Sequence, residues 1–352
     1  MRSYKDLERE VWLKNRCSGC GACTAVCPAN NLYFKEESPV KFNCTECYCE
    51  IVPPEDIEHP ISAEFCKTTV YDVPCGACHD ACPRVEVREM EDKYLGIYRA
   101  KSKLEIKNAQ NGGVVSAILI NALEEELIDG AIVIKQDNWT LEPISYLATT
   151  KEEVVKAAGS KYLRKVSPLN ALKKAVMEEK LERLAIVGTP CIIEAMAKIQ
   201  SSVNDLLKPF RKAIRLKISL FCFEIYDYAK MLKKLEEEGI NPWDIKKMEI
   251  ERGKFLLYLV DGFIKEYKIK ELDPVMREGC KSCIDFTGLY SDISVGNVGT
   301  PEGYSTVIIR NKWGEGFFKR ACYNGLIDFD SSVKIEEIKK LAELKMKRKN
   351  YK

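Results

Sequence analysis

Four thiols fall within residues 17–27, as Cys17-Ser-Gly-Cys20-Gly-Ala-Cys23-Thr-Ala-Val-Cys27-Pro28. Side chains so crowded cannot each find a separate place in a core, so the backbone must wrap around something they share. The run is the densest part of an unusual inventory: 16 cysteines against 2 histidines, His59 and His79, in 352 residues. In a small secreted protein that count would mean a disulfide framework. Here the chain is long and 46% hydrophobic, and its first residues, MRSYKDLEREVW, lack an apolar signal core. No apolar run approaches the roughly 20 residues of a membrane span. A cytoplasmic protein with thiolate-bound metal is the expectation. Zinc sites often mix Cys with His, whereas iron–sulfur clusters take Cys alone, so the composition favours clusters. Charge nearly cancels, 55 Lys+Arg against 53 Asp+Glu, which argues against nucleic acid as a partner.

The first run has the C-x2-C-x2-C-x3-C-P spacing of bacterial ferredoxins. Three of its thiolates hold one [4Fe-4S] cluster, and the fourth, before the proline, reaches a second. Cys75-Gly-Ala-Cys78-His-Asp-Ala-Cys82-Pro83 repeats the end of the motif, with Asp72 standing where its first Cys would be. On that pattern Cys82 joins Cys17, Cys20 and Cys23. Cys27, Cys75 and Cys78 then lack a fourth ligand. The insert 44–66 offers Cys44, Cys47, Cys49 and Cys66, and three readings stand. One insert thiol completes the second cluster; or Asp72 ligates it and the insert thiols hold zinc or a further cluster; or the second cluster is incomplete. The first is favoured, because thiolate is the better ligand for iron–sulfur. A structural zinc knuckle at Cys44–Cys49 is the alternative for the insert.

From about Lys93 the pattern changes to strands and helices. Residues 111–127 read as a glycine turn and an amphipathic helix, 130–134 as a strand, 168–182 as a helix, 184–188 as a strand leading through Thr189-Pro190-Cys191 into another helix. Residues 213–221 read as a strand and 226–238 as a charged helix. Two apolar runs flank Asp261-Gly262, a hairpin signal. Such alternation with a late hairpin suggests α/β or α+β layers. Cys191 follows one strand, Cys222 ends another, and Cys280-Lys-Ser-Cys283 lies in a loop; strand ends and loops are where such folds place sites. Cys322, near Phe317 and Phe318, reads as a packed thiol. Asn111-Gly112-Gly113 and Gly159-Ser160-Lys161-Tyr162 are turns suited to phosphate, and Gly296-Asn297-Val298-Gly299 lets a flat ligand approach the backbone. At the end of the chain Ile335, Ile338, Leu341 and Leu344 recur at helical spacing before Lys345, Lys347, Arg348, Lys349 and Lys352. This reads as a basic surface helix, with a docking tail for a partner or an anionic membrane as the functional alternative.

Together these residues resemble the family of coenzyme F420 hydrogenase/dehydrogenase beta subunits, and within it the ferredoxin-containing F420-dehydrogenase input subunits of archaeal respiratory complexes. The likeness is carried by CSGCGACTAVCP, NGGVVSAIL, GSKYL, VGTPC, the strand end at Cys222, CKSCIDFTGLYSDISVGNVGTPEGYSTVIIR and the basic tail, and so spans nearly the whole chain. The resemblance implies an α+β protein: an N-terminal two-cluster ferredoxin-like domain over 1–92, then an α/β flavin-binding domain over 93–352 that ends in a basic helix over 333–352. It implies that Cys191, Cys222, Cys280 and Cys283 hold a core cluster, giving about three [4Fe-4S] clusters in all. It places FAD against Asn111, Gly112, Gly113, Val114 and Ser116, against Ser160, Lys161 and Tyr162, against Thr189, and against Asn297 and Gly299.

The activity it implies is oxidation of reduced coenzyme F420 by hydride transfer to FAD, with single electrons leaving through the clusters. A deazaflavin exchanges electrons in pairs and clusters carry one at a time, so a flavin must stand between them. The implied acceptor is a membrane respiratory complex or a soluble ferredoxin, with the chain cytoplasmic or peripheral on the cytoplasmic face of the membrane. Two other readings are a ferredoxin-linked flavoprotein reductase with another substrate and an electron-transfer adaptor without flavin. Asp72 and the insert depart from the family pattern and leave the second cluster and the electron partner open.

Overall fold

The computed structural model describes residues 2–34, 57–86, 91–165 and 168–348. Cys44, Cys47, Cys49, Lys349 and Lys352 lie outside them. The larger part is built on one sheet of eight strands. In chain order these are β1 (Gly96–Ser102), β2 (Gly130–Gln136), β3 (Pro143–Ala148), β4 (Leu184–Gly188), β5 (Ile214–Leu220), β6 (Ile293–Gly296), β7 (Ser305–Ile309) and β8 (Ile327–Asp330). They lie in the order β8-β1-β7-β6-β5-β4-β2-β3. The middle strands β2, β4, β5 and β6 are parallel, and antiparallel pairs flank them on both sides. Because β1 opposes β7 and β7 opposes β6, β1 runs in the sense of the parallel strands. The loops that leave β1, β4, β5 and β6 therefore all emerge at one edge, where open α/β sheets place ligands.

Successive side chains of a strand point to opposite faces, and the two faces carry separate cores. Ile132 and Ile186 pack with Leu172, Ile193, Met196 and Phe210 beneath helices Asn170–Met177, Pro190–Ser201 and Lys208–Ala213. Ala131, Val133 and Ala185 pack with Ile118, Ala122 and Phe318 beneath helices Val114–Glu124 and Lys312–Tyr323. A separate meander of Ile245–Glu251, Lys254–Leu259 and Ile264–Lys268 contains the hairpin expected at Asp261-Gly262, and packs Phe255 and Leu257 on Tyr226, Met231 and Leu235 of the strand and helix before it. The chain is thus a mixed α/β protein with a large mixed sheet.

The helices fall where periodicity puts them, several residues shorter at the charged ends. The strands that flank the parallel four were not anticipated. β3 and β8 are edge strands in which apolar Ile144 and Phe329 stand exposed and break the alternation, and β7 is a short apolar run whose type periodicity alone does not decide. Cys322 sits half-buried on helix Lys312–Tyr323 against the second face, as expected.

Two short helices, Ala22–Ala25 and Ala77–Ala81, lie within the two cysteine runs. Each is entered through a left-handed glycine, Gly21 at φ 76° and Gly76 at φ 65°, a conformation that a Cβ disfavours. Ala22, Ala25, Ala77 and Ala81 join the first core beside Ile192 and Ala195. These small side chains let the cysteine module sit directly on helix Pro190–Ser201, whose first turn carries Cys191.

Helix Lys312–Tyr323 approaches the sheet so closely that a Cβ on Gly314 would lie 2.1 Å from the Asp292 carbonyl oxygen, whereas one on Gly316 would meet nothing within 4 Å. Gly314→Ala is expected to cost about 1–3 kcal/mol through overpacking, and Gly316→Ala to stabilise by up to about 1 kcal/mol through helix propensity. Melting temperatures of the two variants should move in opposite directions.

Candidate metal centres

The described thiols gather in three groups. The first is Cys17, Cys20, Cys23 and Cys82. Burial pushes the Cys20 thiol up to about 12, with Cys191, Cys82 and Cys17 adding to the rise. Cys23 is raised by burial and by Cys82, Cys17 and Cys20. This is the crossing over of Cys82 that the ferredoxin spacing predicts.

The second group is Cys27, Cys66, Cys75 and Cys78, which line one cavity with Pro28, Asn31 and Lys67. Burial raises Cys78, and Cys27, Cys75 and Cys66 raise it further. The Asn31 N–H donates to Cys27 Sγ at 3.3 Å. Cys66 is the N-cap of helix Lys67–Tyr71, and that helix turns its thiol toward the others; Asp72 caps the far end, exposed, at φ 55°. Cys66, the one insert thiol among the described residues, is brought to the incomplete set.

The third group comes from the sheet edge. Cys191 opens helix Pro190–Ser201 after β4, Cys222 follows β5, Cys280 ends the turn Glu278–Cys280, and Cys283 lies on the loop after it. The Cys222 N–H donates to the Phe286 carbonyl at 2.9 Å, which ties the second strand end to this loop. Burial lifts Cys222 to about 12, against the pull of Lys345 and with the push of Cys280, Cys191 and Cys283. Burial and the neighbouring Cys283 and Cys191 lift Cys280 to about 11. Cys191 goes the other way: burial opposes its ionisation, but Arg164 and Arg84 bring it down to about 7.

Thiols that raise one another cannot all ionise unless positive charge enters among them, and metal supplies it. Among the described residues no three His, Cys, Asp or Glu side chains gather closely enough to hold a single ion. A four-iron core takes one thiolate at each of four corners. The donor chemistry of all three groups fits such cores.

Buried cations fill the spaces between the groups, and sequence reasoning missed them. Arg164 donates to the Ser18 carbonyl at 2.7 Å, to Thr189 Oγ1 at 2.9 Å and to Cys191 Sγ at 3.6 Å, so one guanidinium joins the first group to the third. Arg84 is buried beside Cys283 and Cys191 and pairs with Glu194 at 3.3 Å. Arg277 lies over Gly19, held by Asp227 at 3.0 Å and by Glu58. The backbones also touch: a Cβ on Gly279 would lie 2.0 Å from the Cys17 carbonyl oxygen. The basic tail is corrected here. Leu344 is exposed, Lys345 is buried in its place, and Arg348 pairs with Glu224 at 2.7 Å. On a 3.6-residue period, position 345 returns under Ile338 more closely than 344 does, and that spacing is the signal that could have found it.

The glycine turns share the same edge. Gly112 N–H donates to Ser305 Oγ at 3.2 Å and its carbonyl accepts from Ser102 N–H at 2.6 Å. Thr306 Oγ1 donates to the Val298 carbonyl at 2.7 Å, which brings Asn297–Gly299 beside the first turn. Helix Val114–Glu124 starts at left-handed Gly113 with no side-chain cap, leaving the N–H groups of its first turn open to a phosphate. The Val114 side chain belongs to the core and Ser116 is buried. A Cβ on Gly159 would lie 2.7 Å from the Asn108 carbonyl oxygen, so the second turn abuts the loop before the first. Within it Ser160 bonds Tyr162, which packs edge-on against Phe255. Two expected flavin contacts have other work. The Lys161 ammonium donates to the carbonyls of Ala157, Ala158 and Gly159, and burial draws it down to about 8. Thr189 Oγ1 stands 3.2 Å from Cys191 Sγ, on the thiol side of the edge.

Comparison with known proteins shows the family. The family models for the N-terminal and C-terminal parts of coenzyme F420 hydrogenase/dehydrogenase beta subunits match residues 97–173 and 181–334, and the 4Fe-4S binding domain matches residues 10–33. An uncharacterized protein of Methanocaldococcus jannaschii is 67% identical, over 99% of this chain and 98% of its own. One of the subunits of the F420H2 dehydrogenase of Methanosarcina mazei is 34% identical, over 96% of this chain and 91% of its own. A chain of the F420-reducing [NiFe] hydrogenase complex from Methanosarcina barkeri aligns with a TM-score of 0.70 at 30% identity, covering 75% of this chain and 93% of that one.

Replacing Cys66 is expected to empty the second group alone. Cys66→Ala should lower the iron content by about four atoms per chain, the complement of one cubane, whereas Asp72→Ala should leave it unchanged. Iron analysis of anaerobically purified variants makes the comparison, and an equal loss in both would return Asp72 to the ligand set.

Proposed function

Since the chain belongs to the family of coenzyme F420 hydrogenase/dehydrogenase beta subunits, we propose that it oxidises reduced coenzyme F420 and passes the electrons singly through three [4Fe-4S] clusters to a protein partner. The observation that carries the reading is the contact between the first and third thiol groups, where Arg164 joins Ser18 to Cys191 and the Gly279 backbone abuts Cys17. A redox centre at the sheet edge is thereby continuous with the cysteine module.

In this reading Cys191, Cys222, Cys280 and Cys283 hold the core cluster. Cys17, Cys20, Cys23 and Cys82 hold the next, and Cys27, Cys66, Cys75 and Cys78 the outermost. FAD, when bound at the same edge, supplies the step between hydride pairs and single electrons. The open N–H groups after Gly113 would receive its phosphates, and the backbone at Gly112 and Asn297–Gly299 with Ser160 and Tyr162 would hold the rest of it. Arg164 and Arg84 hold Cys191 as thiolate. The partner is a membrane respiratory complex or a soluble ferredoxin. Among the described residues no helix is long and apolar enough to cross a membrane, so contact with such a complex would be made from its surface.

Anaerobic titration of the purified holoprotein with reduced coenzyme F420 tests the proposal. Bleaching of a flavin absorption should be followed by loss of the broad iron–sulfur absorption. A preparation with no flavin band, or one in which neither band responds, overturns it.

A further inference from the structure

Helix Ile335–Arg348 buries two side chains, Ile338 and Lys345. Lys345 is 1% exposed. Its ammonium donates to the carbonyls of Cys222 at 2.5 Å and Asp285 at 2.7 Å, and it pairs with no carboxylate among the described residues. An ammonium taken out of water costs several kcal/mol unless negative charge faces it. The groups that face it are Cys283, Cys222, Cys280 and Asp285. The neighbouring charge on its own helix, Arg348, is already matched by Glu224.

The other end of the helix is fixed as well. Lys334 N–H donates to the Gly299 carbonyl at 2.9 Å, and a Cβ on Gly299 would meet Ile338 at 3.3 Å. From Ile338 to Lys345 is about 10 Å at 1.5 Å per residue. One rigid element thus touches the loop read as flavin-binding and delivers a charge to the thiols of the third group.

We propose that Lys345 is the fixed counter-charge of the core cluster and raises its reduction potential. The inference rests on the core cluster of the proposed function. A core held by four thiolates is an anion and gains one more negative charge on reduction; no proton moves, because the ammonium is already charged. Nearby fixed charge is one of the means by which a protein sets such a potential.

The test compares Lys345→Met and Lys345→Gln, both neutral, with Lys345→Arg in the holoprotein. The readout is a redox titration followed by electron paramagnetic resonance, with iron content measured on each sample. In the neutral variants the one-electron reduction of one cluster should become at least tenfold less favourable, about 59 mV, while the other clusters and the Lys345→Arg variant keep the wild-type values. Loss of one cluster from the neutral variants with retention in Lys345→Arg also supports a need for charge. Wild-type potentials in the neutral variants overturn the proposal. So does a fall in Lys345→Arg equal to theirs, or loss of the cluster from all three, either of which would assign Lys345 to packing. A wild-type protein with only about eight iron atoms per chain, two cubanes, would instead sink the core cluster itself.

Discussion

Buried thiols within reach of one another resist ionisation, and much of the surrounding structure answers that resistance. At the sheet edge the answer is cationic. Arg164 and Arg84 reverse the effect of burial on Cys191, and Lys345 opposes it at Cys222 and Cys280. None of these cations is spare. Arg164 also holds the Ser18 carbonyl and Thr189, Arg84 pairs with Glu194, and Lys345 bridges two carbonyls. Arg164 and Arg84 therefore compensate charge and also dock the cysteine module onto the sheet. A change at one of these cations should disturb assembly and redox chemistry together, which is why the charge-conserving variant is the informative control at Lys345.

The docking has a steric side as well. Helix Pro190–Ser201 meets the module through Ala22, Ala25, Ala77 and Ala81, and Gly279 meets Cys17 without room for a Cβ. Small residues bring two backbones together at the point where a larger side chain would separate the first and third thiol groups. The four parallel strands then do what such strands do elsewhere: their carboxyl ends release loops at one edge, and those loops carry Cys191, Cys222 and Asn297–Gly299. β1 adds Gly112–Gly113 to the same edge only because β7 reverses the chain direction beside β6.

Much of this was legible in the sequence because it is local. The ferredoxin spacing encodes both the thiols and the left-handed glycines Gly21 and Gly76, and the crossing of Cys82 follows from it. Cys191, Cys222 and the Cys280–Cys283 pair were readable as strand ends and a loop. An insert thiol was favoured over Asp72 on donor chemistry, but that Cys66 would stand beside the second set was not legible, since it depends on how the helix Lys67–Tyr71 lies against the second motif, with its N-cap inward and its far end exposed. Buried cations are harder still. Arg84, Arg164 and Arg277 come from segments far apart in sequence, and nothing near them marks them as interior. Lys345 carried a signal in its phase under Ile338, but a basic chain end looks like a solvated one until its partners are known.

The three thiol groups differ in what stabilises their charge. Cys191 and Cys283 are buried among Arg164, Arg84 and Lys345. Cys66 and Cys75 of the second group are partly exposed, as Cys222 and Cys280 of the third are, and two ammonium groups lie there: Lys67 lines the cavity and Lys173 donates to the Cys27 carbonyl at 2.8 Å. Fixed cations serve where water is excluded, and water serves where it can reach. A centre that must exchange electrons with another protein has to approach the surface, where solvent already stabilises its charge. A centre beside a flavin has to exclude water, and must carry its counter-charges within the fold. At the sheet edge the counter-charges facing Cys191 are the buried guanidinium groups of Arg164 and Arg84, brought there from segments distant in sequence.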